Sequence, residues 1–157
     1  MKILIVDDEK ISRKILLKKM ELIGECTTID DSLKALALFD KTVKSKDPFD
    51  LITLDVSMPK MDGKKLLNMI RKKEKAMKIL KKDRVKIIMV TSRMNMSTIK
   101  ECIKLGCNGY ISKPVNKYQL LNNLGRMGFA QPPRIQLDNQ KTHAQIVSMI
   151  IKRFYKG

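Results

Sequence analysis

Five polar side chains that could carry chemistry stand directly after short apolar runs of the sequence: Asp7, Asp8, Asp55, Thr91 and Lys113. Short apolar runs that end in turn residues are typical of strands buried on both faces of a sheet. If these strands lie parallel, their carboxyl ends meet at one edge, where open α/β sheets bind ligands. The sequence therefore predicts three carboxylates, a hydroxyl and an ammonium group at one edge of a sheet.

Such a cluster suits phosphoryl transfer assisted by a metal ion. Neighbouring carboxylates repel one another and raise each other's pKa unless a cation lies between them. Mg²⁺ fits this role, because it takes one or two carboxylates, keeps several waters and accepts a phosphate oxygen. A carboxylate can itself accept a phosphoryl group, and a metal ion and a lysine offset the charge on the transferring oxygens.

Strand and helix patterns alternate five times, which predicts a parallel sheet covered by helices on both faces. Strands are predicted at 2–6, 26–29, 51–54, 85–90 and 109–112. Apolar residues at helical spacing predict a helix after each strand, and the third is expected to continue past Lys75 to Leu80. Asp31 or Ser32 is the expected cap of the second helix, and Asn95 or Ser97 that of the fourth.

These motifs resemble the receiver domain of two-component response regulators, the CheY-like family. The resemblance covers about residues 1–127 and is carried by Asp7-Asp8, Asp55 with Met58-Pro59 and Met61-Asp62-Gly63, Thr91 and Lys113-Pro114. It implies a flavodoxin-like, doubly wound (βα)5 α/β fold with a parallel sheet in the order 2-1-3-4-5. Flavodoxin and CheY share this strand order.

The resemblance also implies a role for each acidic residue. Asp55 would be the phosphoacceptor, and a histidine kinase or phosphotransfer protein would supply the phosphoryl group. Asp8, Asp55 and the backbone carbonyl of Ser57 would ligate Mg²⁺, with Asp7 acting through a water. Lys113 would offset the charge on the transferring oxygens. The protein would otherwise not be an enzyme, since it would catalyse only its own phosphorylation and dephosphorylation.

The resemblance further implies a switch made of Thr91 and Tyr110. Thr91 would donate to a phosphate oxygen and move inward, and Tyr110 would fill the vacated space. Pro114 would hold a cis peptide that directs Lys113 to the site. The response would be a population shift on the face of helix 4, strand 5 and helix 5, where a downstream protein would bind.

Two further positions predict a long-lived phosphorylated form. Ser57 and Arg93 stand two residues beyond Asp55 and Thr91. In the family, the residues at these two positions flank the path of the water that attacks the phosphoryl group. Neither residue offers a carboxylate or an amide to orient that water. Slower dephosphorylation than in a fast chemotaxis regulator is therefore expected.

Composition indicates one globular domain in the cytoplasm. The chain has 157 residues, 43% of them hydrophobic, and no apolar stretch near the roughly 18 residues of a membrane span. Cys26, Cys102 and Cys107 have no metal-binding spacing and are expected to be reduced thiols. The net charge of +17 is unusually high, and much of the excess of basic residues lies between Lys64 and Lys86.

Three functions remain open at this point. The first is a stand-alone receiver that takes phosphate from a kinase and docks on a partner. The second is a receiver whose basic surface binds nucleic acid directly, although without interleaved aromatic residues this binding is expected to be weak and non-specific. The third is a purely structural receiver without phosphorylation, which the intact acidic set argues against.

The chain is predicted to divide into a receiver at 1–127, a linker at 128–140 and an amphipathic helix at 141–157. Ile146, Met149, Ile150 and Phe154 fall at helical spacing on this last segment. Its apolar face is expected to pack on its own receiver, on a second copy or on a target protein, and least of all on a membrane. His143 has no partner ligand nearby and is not expected to bind metal or phosphate.

Overall fold

The structure is a computed structural model that describes residues 1–92 and 95–129. Several of the predicted features fall outside these residues: the position of Arg93, His143, most of the linker and the amphipathic helix at 141–157. Within the described ranges no helix is both long and apolar enough to cross a membrane.

Five strands and five helices alternate along residues 1–92 and 95–129, as the sequence predicts. The strands are β1 (Lys2–Val6), β2 (Glu25–Ile29), β3 (Leu51–Asp55), β4 (Lys86–Thr91) and β5 (Gly109–Ser112). The helices are α1 (Lys10–Met20), α2 (Ser32–Lys44), α3 (Gly63–Ala76), α4 (Met96–Leu105) and α5 (Lys117–Arg126). A single 3₁₀ turn, Lys81–Asp83, precedes β4.

All strand pairs are parallel, and the sheet order is β2-β1-β3-β4-β5. This order confirms the predicted doubly wound fold. Because β1 and β3 are neighbours with Val6 opposite Leu54, the residues that follow, Asp7 and Asp55, stand side by side. Thr91 stands opposite Ser112 in the β4–β5 pair, immediately before Lys113. The topology therefore brings the predicted polar residues to one edge.

Two apolar clusters cover the two faces of the sheet. Alternate residues of β1 point to opposite faces, so Leu4 and Val6 join the cluster under α2, α3 and α4, while Ile3 and Ile5 join that under α1 and α5. Each fully buried Leu or Ile contributes about 1.5–3 kcal/mol to the stability of the fold. The helices on both faces are thus fixed against the strands that carry the polar edge.

Side-chain caps define the starts of α2, α3, α4 and α5, and those of α2 and α4 decide between the candidates that the sequence offers. The Asp31 carboxylate accepts hydrogen bonds from the backbone N–H groups of Leu33 and Lys34, and Asn95 accepts one from Thr98. Asp31 rather than Ser32 therefore caps α2, and Asn95 rather than Ser97 caps α4. Gly106 ends α4 with φ +94°, a left-handed conformation that costs glycine little.

The predicted extension of α3 to Leu80 is wrong, because the helix ends at Ala76. Lys78 takes a left-handed conformation with φ 57°, and the N–H of Ile79 bonds back to the carbonyl of Glu74. The apolar spacing misled the prediction, since Leu80 is 61% exposed and does not belong to a buried face. Hydrogen bonds of Arg71 and Glu74 with the backbone of Val85, which is distant in sequence, turn the chain back toward β4.

Candidate functional site

Lys113 shares its ammonium group between two buried carboxylates. Its Nζ lies 2.8 Å from Asp55 Oδ2 and 2.9 Å from Asp7 Oδ2. β5 delivers Lys113 to this point, while β1 and β3 deliver the two aspartates. Lys113 itself is half-buried, so its charge acts in a region from which much of the water is excluded.

Asp8 completes a set of three carboxylates that could hold a metal ion. One oxygen from each of Asp7, Asp8 and Asp55 can be chosen so that all three lie within 4.8 Å of one another. Asp7 and Asp55 are buried and Asp8 is exposed, so the set is open to water on one side. Hard carboxylate oxygens with room for water are what Mg²⁺ requires, and these residues therefore fit that ion. The role of the Ser57 carbonyl as a ligand stays a prediction.

Asp7 is held by the start of α1. Its Oδ1 accepts a hydrogen bond from the N–H of Glu9, and its Oδ2 accepts one from Ser12 Oγ at 2.7 Å. The guanidinium of Arg13 donates to the Asp7 backbone carbonyl. Sequence reasoning missed Ser12 and Arg13, because a serine or an arginine in the first turns of a helix is most often exposed to solvent.

Burial and hydrogen bonding have opposite effects on the pKa values of Asp55 and Lys113. Burial raises the pKa of Asp55 above its usual value, and the hydrogen bond and charge of Lys113 only partly offset this. Burial also lowers the pKa of Lys113, but the hydrogen bonds to Asp55 and Asp7 outweigh it and leave that pKa above its usual value. The positive charge and hydrogen bonds around Asp55 therefore do not fully offset the cost of burying its ionised carboxylate.

The β3–α3 turn permits no side chain at Gly63. A Cβ at that position would lie 2.0 Å from the backbone oxygen of Asp55. The N–H of Gly63 instead donates to the carbonyl of Val56, which closes the turn beside the acidic residue. The Lys113-Pro114 peptide on the other side of the site is cis.

Thr91 and Tyr110 lie together beneath the polar edge. Thr91 is fully buried at the end of β4, and only 3% of Tyr110 is exposed. Burial raises the pKa of the Tyr110 phenol, and a hydrogen bond with Thr91 acts in the opposite direction. The two residues of the predicted switch are thus in direct contact, with the tyrosine ring packed in the core.

Cys102 and Cys107 lie in the same core as Tyr110. Burial raises the pKa of Cys102 to about 11 and that of Cys107 to about 12. None of the three cysteines, all of which lie in the described part of the chain, forms a disulfide, and Cys26 is half-buried. Since the thiolate is the reactive form, the two buried thiols are expected to be inert, in agreement with the sequence analysis.

The chain matches known proteins over the same region. A family model described as "Response regulator receiver domain" matches residues 3–125. Hybrid signal transduction histidine kinase C of Dictyostelium discoideum is 38% identical over 114 residues, which is 72% of this chain but only 9% of that protein. The probable transcriptional regulator ycf27 of Galdieria sulphuraria is 36% identical, over 76% of this chain and 42% of that protein. The chain thus spans less than half the length of each of these two relatives.

Solved structures agree with the fold. The receiver domain of histidine kinase CKI1 from Arabidopsis thaliana, in complex with Mg²⁺ and BeF3⁻, matches with a TM-score of 0.70 and 30% identity, over 81% of this chain and 89% of that one. Chemotaxis protein CheY4 of Vibrio cholerae matches with a TM-score of 0.65 and 31% identity, over 80% and 97% of the two chains. With the sheet order and the acidic edge, these matches identify the chain as a member of the response regulator receiver domain family of two-component phosphorelay systems.

Proposed function

We propose that Asp55 accepts a phosphoryl group from a histidine kinase or a phosphotransfer protein in a Mg²⁺-dependent reaction. The observation that carries this proposal is the contact of Lys113 with Asp55 and Asp7, beside a third carboxylate within metal-binding distance. A buried carboxylate whose negative charge is only partly neutralised favours the binding of a metal ion and can accept a phosphoryl group.

In the proposed reaction, a carboxylate oxygen of Asp55 attacks the phosphorus atom. The bond between phosphorus and the donor's imidazole nitrogen breaks, and its electron pair leaves with that nitrogen, which yields an acyl phosphate on Asp55. Lys113 stays in place and offsets the charge on the transferring oxygens. Mg²⁺, held by Asp8 and Asp55 with Asp7 acting through a water, would supply further positive charge when bound.

The phosphoryl group would act on partners through Thr91 and Tyr110. Thr91 ends β4 immediately beside the strand end that carries Lys113, so a phosphate oxygen at the site would compete for its hydroxyl. Tyr110 shares a hydrogen bond with that hydroxyl and belongs to β5, so a change in its packing would alter the face formed by α4, β5 and α5. The population of a binding-competent state would shift accordingly.

The proposal concerns the receiver unit. The relatives from Dictyostelium discoideum and Galdieria sulphuraria carry a unit of this kind within larger proteins. The predicted stand-alone arrangement, the cytoplasmic location and the lack of other enzymatic activity stay predictions. The alternative, direct binding of nucleic acid by the basic surface, is supported by the net charge of +17 alone. Such binding would disappear near physiological ionic strength.

The test is phosphorylation of the purified chain by phosphoramidate, followed by mass spectrometry of the intact protein. We expect a mass increase of one phosphoryl group that requires Mg²⁺ and is lost in Asp55→Asn. The exposed carboxylate of Asp30 offers a matched control, since Asp30→Asn should be phosphorylated like the wild type. Uptake by Asp55→Asn at the wild-type level, or full uptake in EDTA, would refute the assignment.

A further inference from the structure

The end of α3 and its connection to β4 form a surface that is both basic and apolar. Its cations are the exposed residues Lys72, Lys75, Lys78, Lys81 and Lys82. Two exposed apolar side chains accompany them, Met77 (38% exposed) and Leu80 (61% exposed). We call this set the α3–β4 surface. Among the described residues, none of its five lysines has an ion-pair partner.

Other cations of the same stretch are paired inside the molecule. Arg71 contacts the buried Glu74 at 2.7 Å, and Arg84 lies 3.9 Å from the same carboxylate. Lys73 reaches across to Asp40 on α2 at 2.6 Å. Asp40 and Glu74 thus pair with the less exposed cations of the stretch, and the exposed Asp83 beside Lys82 offsets only part of the charge of the five lysines, so the α3–β4 surface keeps a net positive charge.

The connection is held firmly in its shape. Glu74 Oε1 accepts a hydrogen bond from the N–H of Val85 at 2.9 Å, and Arg71 donates to the carbonyl of Val85 at 3.0 Å. The N–H of Ile79 donates to the carbonyl of Glu74. A partner that binds here would not need to order the backbone, which removes part of the entropic cost of association.

The α3–β4 surface lies at the edge of the sheet opposite to the acidic site. Lys86 begins β4 and Thr91 ends it, so the length of the strand, about 16 Å at about 3.3 Å per residue, separates the two edges. A partner on this surface would therefore leave Asp55 accessible.

The charge of the surface disfavours a second copy of this chain as its partner. A second copy carries the same net charge of +17 and would be repelled. The sequence after residue 129 is basic as well, with Asp138 as its one acidic residue. The partner must bring negative charge from another molecule.

The side chains of the surface favour an acidic protein over nucleic acid. No Phe, Tyr or Trp occurs between Phe49 and Tyr110, so no bases could stack there. Of the arginines, whose forked geometry suits phosphate groups, Arg71 is hydrogen-bonded to Glu74 and Arg84 lies 3.9 Å from the same carboxylate. Exposed Met77 and Leu80 would gain from contact with apolar side chains, which an acidic amphipathic helix provides beside its carboxylates.

We propose that the α3–β4 surface docks an acidic amphipathic helix of a partner protein, and that this docking does not depend on phosphorylation. The partner's carboxylates pair with the five lysines, and its apolar side chains cover Met77 and Leu80. Such a contact tethers the receiver to its partner while the face of α4, β5 and α5 stays free to respond to the site. The docking does not rest on the phosphorylation chemistry, and the two can be tested separately.

The experiment measures binding of a labelled 18-residue peptide, with Leu and Glu at helical spacing, to the full chain by fluorescence anisotropy near physiological ionic strength. We expect binding that is at least tenfold weaker in Lys72→Glu/Lys81→Glu/Lys82→Glu. The matched control reverses three exposed lysines of α1, Lys10, Lys14 and Lys18, and changes the net charge equally. It should weaken binding less than threefold, and Leu80→Ser should weaken it at least threefold.

Several outcomes would overturn the proposal. The first is the absence of peptide binding by the wild-type chain, and the second is an equal loss in the control triple variant, which would mean that only the overall charge attracts the peptide. Tighter binding of an 18-nucleotide single strand, an 18-base-pair duplex or vesicles with anionic lipid would assign the surface to those partners instead. Binding that changes more than threefold when phosphoramidate and Mg²⁺ are added would refute independence from phosphorylation. Circular dichroism of all variants verifies that they fold.

Discussion

Two buried carboxylates at opposite edges of the sheet differ in how well they are neutralised. Glu74, 1% exposed, contacts one arginine at 2.7 Å, has a second at 3.9 Å and accepts a backbone N–H. In the described residues Asp55 shares one lysine with Asp7 and also accepts a backbone N–H from Ser57, and Asp8 stands close by without adding any positive charge. Positive charge thus exceeds negative charge around Glu74, whereas around Asp55 the reverse holds.

This difference separates a structural from a functional use of buried charge. Glu74 and its partner Arg71 tie α3 to Val85, just before β4, and the Asn108 side chain accepts hydrogen bonds from Arg71 and from the N–H of Ile87. Around Asp55 the excess negative charge lowers stability but makes the site attractive to a cation. Proteins commonly lose stability at the sites that carry their activity.

Replacement of Glu74 should give the largest loss of stability. In Glu74→Gln the carboxylate's charge disappears while Arg71 stays buried, and breaking such a pair costs about 3–5 kcal/mol. Urea unfolding measures the loss, and phosphorylation of the folded variant should persist. Glu101→Gln is the control, because its pair with Lys64 is exposed and is worth less than about 1 kcal/mol. Similar losses in the two variants would contradict the structural role of Glu74.

Replacement of Lys113 should give a smaller loss that Mg²⁺ reverses. In Lys113→Ala two buried carboxylates lose their cation, which should cost about 2 kcal/mol in EDTA. Mg²⁺ should restore more stability in this variant than in the wild type, because it provides the missing charge. Thermal melting with and without Mg²⁺ measures both effects, and the phosphorylated variant should lack the conformational response.

The control for this variant is Lys60→Ala, which removes an exposed lysine that bonds to Asp31 at the rim of the site. Its stability should respond to Mg²⁺ as the wild type does. An equal gain from Mg²⁺ in Lys113→Ala and the wild type would mean that lysine and metal do not neutralise the same carboxylates.

Replacement of Ser12 should have a weaker effect on the same site. Ser12→Ala removes one of two donors to Asp7 Oδ2, and since Lys113 still donates to that oxygen, the cost should be about 1 kcal/mol. Ser45→Ala, which removes an exposed hydrogen bond to Thr42, should change stability by less than about 0.5 kcal/mol. Equal stability of Ser12→Ala and the wild type in urea would show that Ser12 does not support Asp7.

Replacement of Asp55 should have the smallest effect on stability and the opposite sign. The pKa of Asp55 is raised in the folded protein, so the ionised carboxylate costs stability at neutral pH. Asp55→Asn should therefore be slightly more stable than the wild type at pH 7 in EDTA. The difference should shrink as the pH falls through the raised folded-state pKa and be smallest below the unfolded-state pKa of about 3.9, where the proton neutralises Asp55 in both states. Lower stability of Asp55→Asn at pH 7 would show that Lys113 outweighs burial.

The sequence predicted the fold well because the relevant signals are local. Strand positions agree with the structure to within one residue, since each apolar run ends at a turn residue. The caps Asp31 and Asn95 were each one of two candidates, and the hydrogen bonds of the structure selected them. The end of α3 was predicted wrongly, because apolar spacing cannot distinguish a buried Ile70 from an exposed Leu80.

The sequence by itself determined the five strands and helices, and the order of the polar residues that follow the strands. A parallel sheet necessarily collects strand ends at one edge, so the pattern of strands was enough to place Asp7, Asp55 and Lys113 at the same edge, while the strand order came from the family resemblance. Tertiary structure alone decided that Lys113 bridges two carboxylates, that Ser12 supports Asp7, and that Glu74 is buried. These contacts join residues on different elements, and their energies depend on burial and charge in three dimensions, which spacing along a chain does not encode.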